Sequence, residues 1–214
     1  MGEQLAKTFV IGMQSKRNFT HRTQAILDAE TLTLHGCEVL TGGRLQFDNP
    51  SFMAQVDLSA FNYALKLVEQ GAENVHCNFE YTSLVQHAKI IGQRAVKGVV
   101  IELVERTDFL IENPTLLSQS RRVLDQVRKR GAAIAMDDIE PSSLERSLVE
   151  IIRPDILKTD NRDALYGIRR FTGSRPIVAE RIETETQAAM ARWLGATHLQ
   201  GYWCDDLIAS RVCA

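Results

Sequence analysis

Polar and acidic side chains follow one short apolar run after another along this chain. Asp137 and Asp138 follow the run Ala132–Met136, and Lys158 and Glu180 each end a later run. Because helix-like segments separate most of these runs, the pattern predicts strands of a parallel sheet whose carboxyl ends meet at one rim. Carboxylates gathered at such a rim repel one another and need cations to hold them together, which indicates metal-assisted chemistry. The residues at the ends of the runs are Glu38, Asn78, Glu102, Asp137, Asp138, Lys158, Glu180 and Gln200.

Oxygen ligands without histidine or cysteine partners suit hard divalent cations such as Mg²⁺ or Mn²⁺. We expect four of the side chains to form the protein shell of one ion. Asp138 directly follows Asp137, and two adjacent carboxylates at a strand end can point to different ions and bridge them. Two metals about 3.5–4 Å apart suit the hydrolysis of a phosphoester. The four side chains of the first shell are Glu38, Asn78, Glu102 and Asp137.

Three further groups complete this hypothesis. Lys158 would place a fixed positive charge beside the attacking water or the phosphate, while Glu180 and Glu183 would supply another ligand or a proton acceptor. Each residue taken alone has a plainer interpretation. Asp138 would then start a turn, Asn78 would be a turn or cap residue, and Glu183 and Asp160 would be solvated loop residues. Only their shared placement at successive strand ends favours a site.

Eight short apolar segments are predicted to be the strands that position these groups. The gap Glu30–Thr33 between the first two is too short for a helical crossover, so this pair should be antiparallel. The fold is therefore an α/β, TIM-like (β/α)8 barrel over residues 23–214 with its first strand antiparallel, preceded by a leader at residues 1–22. The predicted strands are Thr23–Ala29, Leu34–Thr41, Asn74–Phe79, Gly98–Val104, Ala132–Asp138, Asp155–Asp160, Pro176–Ile182 and Thr197–Trp203.

Capping signals place several of the intervening helices. One helix should start at Asn113-Pro114 and end at Gly131, and another should start near Asp57 and end at Gly71. Two further starts fit the capping-box spacing, in which a hydroxyl residue precedes a glutamate or glutamine by three positions. They are Ser142-x-x-Glu145 and Thr184-x-x-Gln187.

The composition of the chain argues against several classes of function. The 214 residues suffice for one domain, and the formal net charge of −2 gives no basic surplus for binding DNA or RNA polymers. No apolar run is long enough to span a membrane, and no signal peptide is recognisable, so a cytoplasmic protein is expected. The four cysteines lack CxxC spacing and are expected to be reduced, buried thiols.

Seven motifs, in order, resemble those of the EAL-domain family of cyclic di-GMP phosphodiesterases. The resemblance covers about Gln24 to Leu207. Glu38-Val39-Leu40 resembles the EAL signature itself, and Asn78 matches the asparagine of the third strand. The remaining matches are Ile101–Glu105 to ELTE, Asp137-Asp138 to the double aspartate, Lys158–Asp160 to KID, Glu180–Glu183 to the end of AEGVE, and Gln200–Tyr202 to QGY.

This resemblance implies a barrel with an antiparallel first strand, two Mg²⁺ or Mn²⁺ ions, and hydrolysis of cyclic di-GMP to linear pGpG. It implies that Asp138 helps to bind the second metal and that Lys158 and Glu180 position or activate the attacking water. Glu183 and Gln200 would support the site, and Gln24 would contact the nucleotide. The implied ligands of the first metal are Glu38, Asn78, Glu102 and Asp137.

The sequence departs from the family pattern at the rim. The loop after the double aspartate, Asp138–Leu144, is shorter than DDFGTGYSSL and lacks its glycines; Glu105 would normally anchor it. Gly42 replaces the arginine that follows the family signature, where the resemblance implies a phosphate contact, and Arg181 replaces a glycine. These changes leave open a second hypothesis, in which a weak or inactive EAL-like module binds cyclic di-GMP or a regulatory protein partner. They also leave open whether the domain forms the family's homodimer.

Overall fold

A computed structural model describes residues 19–104 and 107–212 of the chain. Eight strands form one closed barrel in chain order. β1 runs antiparallel to both of its neighbours, β2 and β8, while every other neighbouring pair is parallel. This confirms the predicted TIM-like barrel with an antiparallel first strand. The strands are β1 Thr20–Asp28, β2 Leu34–Gly42, β3 Val75–Phe79, β4 Val99–Leu103, β5 Ala133–Met136, β6 Ile156–Thr159, β7 Ile177–Ala179 and β8 His198–Gln200.

The later strands are shorter than predicted because their ends turn into rim loops. β8 stops at Gln200, since Gly201 has φ of 151° and the next residue already begins a helix. A β-carbon on Gly201 would lie 2.3 Å from the backbone nitrogen and oxygen of Ile182, so only glycine allows the two rim loops to cross. β1 extends to Thr20, three residues into the segment that we assigned to the leader.

Helices surround the barrel in the described ranges. The first begins at Pro50 rather than near Asp57, because Asn49 caps it: the Asn49 side chain accepts a hydrogen bond from the Phe52 amide at 3.1 Å. They are α1 Pro50–Glu69, α2 Tyr81–Gln86, α3 Ala88–Arg94, α4 Thr107–Glu112, α5 Pro114–Lys129, α6 Ser143–Ile152, α7 Leu165–Thr172, α8 Glu185–Trp193 and α9 Tyr202–Val212; a 3₁₀ turn, Arg162–Ala164, precedes α7.

The predicted capping boxes form only in part. Ser142 accepts the Glu145 amide at 3.1 Å, and Thr184 accepts the Gln187 amide at 3.2 Å. The return bonds go one or two residues further upstream than the box requires. Gln187 Oε1 accepts from the Glu183 amide at 2.7 Å, and the Glu145 carboxylate accepts from the Glu140 amide. In α6 and α8, the first turn of the helix thus binds the backbone of the rim loop that precedes it.

Strand alternation separates an apolar outer face from a polar interior. In β4 the fully buried Ile101 and Leu103 pack into the main core under the helices, whereas Glu102 between them faces the barrel axis. In β6, Leu157 faces the helices and Lys158 faces the axis. This alternation brings the polar residues at the strand ends into one interior layer.

Two other predictions concern the whole chain. Cys37, Cys77 and Cys204 are buried and free, as expected for reduced thiols, and Cys213 lies outside the described residues. Among the described residues, no helix combines the length and apolarity that a membrane crossing needs.

Candidate functional site

Lys158 lies at the centre of a buried cluster inside the barrel. Its Nζ donates to Glu102 Oε1 at 2.6 Å, to Glu38 Oε2 at 2.8 Å, and contacts Glu180 Oε1 at 2.9 Å. The Lys158 and Glu102 side chains have no exposed surface. One ammonium group therefore bridges carboxylates from β2, β4 and the end of β7.

The charges in this cluster do not balance. Burial would lower the pKa of Lys158, but the Glu102, Glu38 and Glu180 carboxylates outweigh it and hold the pKa well above its ordinary value. Burial, followed by the nearby Glu38 charge, raises the pKa of Glu102, and burial raises that of Glu180. A single ammonium balances only one carboxylate, so ionised Glu102 and Glu180 would need a further cation beside Lys158.

Glu38 is the carboxylate most strongly held in its charged form. Burial opposes ionisation, yet the Lys158 charge and the hydrogen bonds from Lys158, Gln200 and Asn78 lower the pKa of Glu38 to about 2. Asn78 Nδ2 donates to Glu38 Oε1 at 2.7 Å, and Gln200 Nε2 donates to Oε2 at 2.6 Å. Both carboxylate oxygens are thereby fixed in direction.

Two side-chain oxygens in this layer lack a partner. Asn78 Oδ1 and Gln200 Oε1 are buried without a hydrogen bond, although each is a strong acceptor. The Asn78 amide group is already oriented by its bond to Glu38, so its free oxygen has a fixed place beside the carboxylates. A buried, unpartnered oxygen next to an excess of carboxylate is the donor set that a hard divalent cation requires.

The acidic residues fall into two overlapping groups. Oxygens of Glu38, Glu102 and Glu180 lie within 4.8 Å of one another, and so do oxygens of Asp137, Asp138 and Glu180. Glu180 belongs to both groups. The predicted ligands thus come together at one rim, with Asn78 joined to the first group through Glu38, and the arrangement has room for two cations.

Asp138 starts a turn and also belongs to the second acidic group. It takes a left-handed conformation with φ of 51°, and its amide donates to the Asp137 carboxylate at 2.9 Å, so it does start a turn. The same turn points its carboxylate at the second acidic group. Burial and the nearby Asp137 and Asp160 charges raise the pKa of Asp138, as expected for a carboxylate among other carboxylates.

Among the described residues, Asn161 and the backbone of Lys158 hold the shortened loop after the double aspartate. Asn161 Nδ2 donates to both oxygens of the Glu140 carboxylate, at 2.9 and 3.1 Å. Ile139 is fully buried, and its amide donates to the Lys158 carbonyl at 3.0 Å. Glu105, the anchor that the resemblance implied, lies outside the described residues.

The other two predicted support residues stand at the rim, outside both acidic groups. Asp160 Oδ2 pairs with Arg181 Nη1 at 2.9 Å. Glu183 lines the rim cavity, while its backbone amide is held by Gln187. Gln24 is nearer the centre, because its Oε1 accepts from Gln200 Nε2 at 3.1 Å.

Two residues that orient this layer, His76 and Asp205, were not predicted from the sequence. His76 Nδ1 lies 2.9 Å from Glu102 Oε2, and burial lowers the pKa of His76 to about 3, so a neutral imidazole donates to the carboxylate. Asp205 accepts from Gln24 Nε2 at 3.3 Å and from the Ala25 amide at 2.8 Å. The alternation of β3, which places His76 on the same face as Asn78, was a signal for the histidine; no sequence pattern marks Asp205.

The cluster opens into a cavity of about 390 Å³ at the rim. Its lining joins both acidic groups to polar and aromatic groups from β1 and from the chain after β8. The described residues that line it are Arg22, Gln24, Glu38, Leu40, Asp137, Asp138, Asp160, Glu180, Arg181, Glu183, Gln200, Gly201 and Tyr202.

The chain is similar in sequence to curated proteins that are named as cyclic di-GMP phosphodiesterases. No model of a known protein family matches the chain. Cyclic di-GMP phosphodiesterase CdgJ from Vibrio cholerae is 34% identical over 135 residues, which make up 59% of this chain and 28% of the relative. The chain therefore spans under a third of the length of that relative.

Two solved structures share the fold. The S helix-GGDEF-EAL portion of Vibrio cholerae LapD, bound to cyclic di-GMP, superposes with a TM-score of 0.71 at 19% identity, covering 96% of this chain and 58% of that one. Klebsiella pneumoniae BlrP1, in a complex with manganese and cyclic di-GMP, gives 0.71 at 21% identity, covering 90% and 56%. In sequence the chain is thus similar to a curated cyclic di-GMP phosphodiesterase, and in fold it is similar to solved EAL-domain structures.

Proposed function

We propose that this domain is a metal-dependent phosphodiesterase that hydrolyses cyclic di-GMP to linear pGpG. The observation that carries the proposal is the pair of carboxylate groups that share Glu180 and lie beside the unpartnered oxygen of Asn78. The named activity of the relative CdgJ and the cyclic di-GMP bound to the two fold neighbours support the choice of substrate.

The residues divide into two ligand sets in this proposal. Asp138 belongs to the second set, and Glu180, which lies in both acidic groups, would stand between the two sets as the proton acceptor. Mg²⁺ or Mn²⁺ would fit these oxygen-only donors, and two such ions, when bound, lower the pKa of a water molecule and neutralise phosphate charge. The first ion would be held by Glu38, Asn78, Glu102 and Asp137.

Lys158 and Glu180 have distinct roles at the reacting atoms. Lys158 remains charged because three carboxylates raise its pKa, so it donates a hydrogen bond and cannot take up a proton. Glu180 is an acceptor beside it and would receive the proton of the attacking water. The water oxygen would form a new bond to phosphorus as the bond from phosphorus to the 3′ oxygen breaks, and the departing 3′ oxygen would take up a proton to become the 3′ hydroxyl of pGpG.

The outer residues fix this arrangement. Gln200 and Gln24 form a hydrogen-bonded pair at the edge of the cavity, where they would contact the nucleotide and keep Glu38 oriented. Asp160 and Glu183 line the same cavity and would support the rim loops around the substrate.

A second candidate function is binding of cyclic di-GMP without turnover. Two observations favour it: Gly42 offers no side chain at the position of the family's arginine, and the short loop after Asp138 is tied down through Glu140 and Asn161. A tied loop limits the movement that would adjust Asp137 and Asp138 around a metal. The same domain would then act as a receptor for the nucleotide.

Turnover and binding should be measured on the same samples. Purified protein with Mg²⁺ or Mn²⁺ should convert cyclic di-GMP to pGpG, followed by chromatography, and a chelator should stop the reaction. Glu38→Ala should remove turnover, while Glu69→Ala, a change at an exposed glutamate at the end of α1, should not. Binding without pGpG would favour the receptor, and the absence of both would refute the two candidates.

A further inference from the structure

The rim cavity has an unusual balance of charge. Two arginines, Arg22 and Arg181, are its cationic lining side chains among the residues that the structure describes. Any anion that enters must overcome the surrounding carboxylates unless these guanidinium groups pair with it. The acidic lining residues are Glu38, Asp137, Asp138, Asp160, Glu180 and Glu183.

A cyclic dinucleotide carries two phosphodiesters, and the carboxylate groups with their cations can hold only the one that reacts. We propose that Arg22 and Arg181 bind the second, non-reacting phosphodiester. This inference rests on the proposed substrate and deepens it by assigning residues to the part of the ligand that the metal site leaves unpaired.

Arg22 reaches the rim from β1. It is paired with Leu40 across the sheet, two residues beyond the Gln24–Glu38 pair, so alternation puts it on the same face as Gln24. Its side chain is exposed and lines the cavity, and its charge acts on the nearby Asp205 carboxylate, whose pKa it lowers against the larger effect of burial. Gly42 lies two positions after Leu40 on β2, where the resemblance places an arginine. The guanidinium at this edge of the cavity is therefore supplied by Arg22 on β1 and not by a residue on β2.

Arg181 reaches the same cavity from the loop after β7. Its Nη1 pairs with Asp160 at 2.9 Å, which orients the guanidinium but leaves most of its five donors available, and the side chain is 77% exposed. Because β8 lies between β7 and β1, the two arginines bracket the turn at Gly201-Tyr202. An anion placed over this turn would have a guanidinium on each side.

The backbone of Arg181 provides an independent argument. Its φ of 51° is a left-handed conformation that is unfavourable for arginine and costs nothing for glycine. The fold alone would thus be better satisfied by glycine at this position. A strained residue whose side chain lines the cavity is what a ligand contact predicts.

Arg181→Gly separates these two effects. It should leave the thermal midpoint unchanged or raise it, because the strain is relieved, while KM for cyclic di-GMP rises about tenfold. Arg153→Gly is the matched control, since Arg153 has φ of 56°, is exposed and ends α6 outside the cavity. That control should raise the midpoint and leave KM unchanged.

Arg22→Gln should also raise KM about tenfold, and the double variant Arg22→Gln/Arg181→Gly should raise it about a hundredfold. The value of kcat should stay within about twofold, because the contact is made equally in the bound state and in the transition state. Arg121→Gln, at an exposed position on α5, is its control. An unchanged KM in the double variant, or a fall in kcat alone, would overturn the inference and leave the proposed function intact.

If the parent protein does not hydrolyse cyclic di-GMP, a binding measurement tests the inference instead. Calorimetric titration with cyclic di-GMP in Ca²⁺ should then show a Kd that the double variant weakens about a hundredfold, which would support the inference and refute catalysis. Equal Kd values would overturn the inference alone. A parent protein that neither binds nor hydrolyses the nucleotide would overturn both.

Discussion

The Nζ atom of Lys158 lies 2.6 Å from Oε1 of Glu102, and neither side chain has exposed surface. Glu38 and Glu180 share the same ammonium group. A buried charge is tolerated only while its partners remain, so each member of this cluster depends on the others. The cluster is therefore a structural element of the metal-free barrel as well as the candidate site.

Replacing Lys158 with methionine should strongly destabilise the metal-free protein. Its removal leaves buried carboxylates without a counter-charge, and breaking a buried pair costs about 3–5 kcal/mol in unfolding free energy. Urea unfolding in a chelator measures this loss. Lys129→Met, at an exposed position at the end of α5, is the control and should cost under about 1 kcal/mol. Equal stability of the two variants would contradict the central role of Lys158.

Divalent cations should stabilise the parent protein against unfolding, and they should stabilise a variant that lacks Glu102 much less. A ligand that binds only the folded state adds about 2.7 kcal/mol at a concentration one hundred times its Kd. Thermal unfolding with increasing Mn²⁺ should show a rising midpoint for the parent and a small shift for Glu102→Gln. Glu112→Gln, at an exposed glutamate in α4, should behave as the parent does. Identical metal responses in all three proteins would place the cation elsewhere.

Gly201→Ala should damage both stability and the orientation of Gln200. The added β-carbon would meet the Ile182 backbone, and overpacking together with a positive φ costs about 2–4 kcal/mol. Gly71→Ala isolates the conformational part, since Gly71 has φ of 95° but nothing within 4 Å of the added carbon. That control should cost about 1 kcal/mol in chemical unfolding. A loss no larger in Gly201→Ala than in the control would contradict the crossing of the two rim loops.

Asp57 should make the stability of the protein depend on pH outside the site. Burial raises the pKa of Asp57 to about 6. Because the folded-state pKa lies above the unfolded one, this residue favours folding below about pH 3.8, and the contribution is lost as pH rises through about 6.

The comparison that isolates this effect is with Asp57→Asn, which cannot titrate. The unfolding free energy of the parent minus that of the variant should fall by up to about 3 kcal/mol between pH 3.5 and pH 7.5. Urea titrations of both proteins in chelator at the two pH values give that difference. A difference independent of pH, or one that grows as pH rises, would show that Asp57 is not neutralised by burial.

The order of the strands and the gathering of their terminal residues could be predicted from the sequence for one physical reason. Strands in a barrel point their carboxyl ends to one rim, so Glu38, Glu102 and Glu180 had to converge once the barrel was recognised. The short gap before β2 also fixed the antiparallel start. Asn49-Pro50 carried the start signal of α1 as well, although Asp57 was predicted instead.

The contacts around these residues could not be predicted in the same way, because they join positions far apart in sequence. The hydrogen bond that Gln24 donates to Asp205 spans 181 positions, and the bond from Asn161 to Glu140 forms only once the short loop is folded. Lys158 contacts three carboxylates because the barrel brings the ends of β2, β4 and β7 within reach of one side chain. Which side chains meet across the barrel depends on distances in three dimensions, and these cannot be read from spacing along the sequence.

The most direct measurement of the central claim is hydrolysis of cyclic di-GMP in ¹⁸O-labelled water with Mn²⁺, followed by mass spectrometry of the product. If water attacks phosphorus at this site, pGpG should form with one labelled oxygen in its 5′ phosphate, and Glu38→Ala should form none. The absence of pGpG from the metal-loaded parent protein, or pGpG without the label, would contradict the proposal that this domain is a hydrolytic phosphodiesterase.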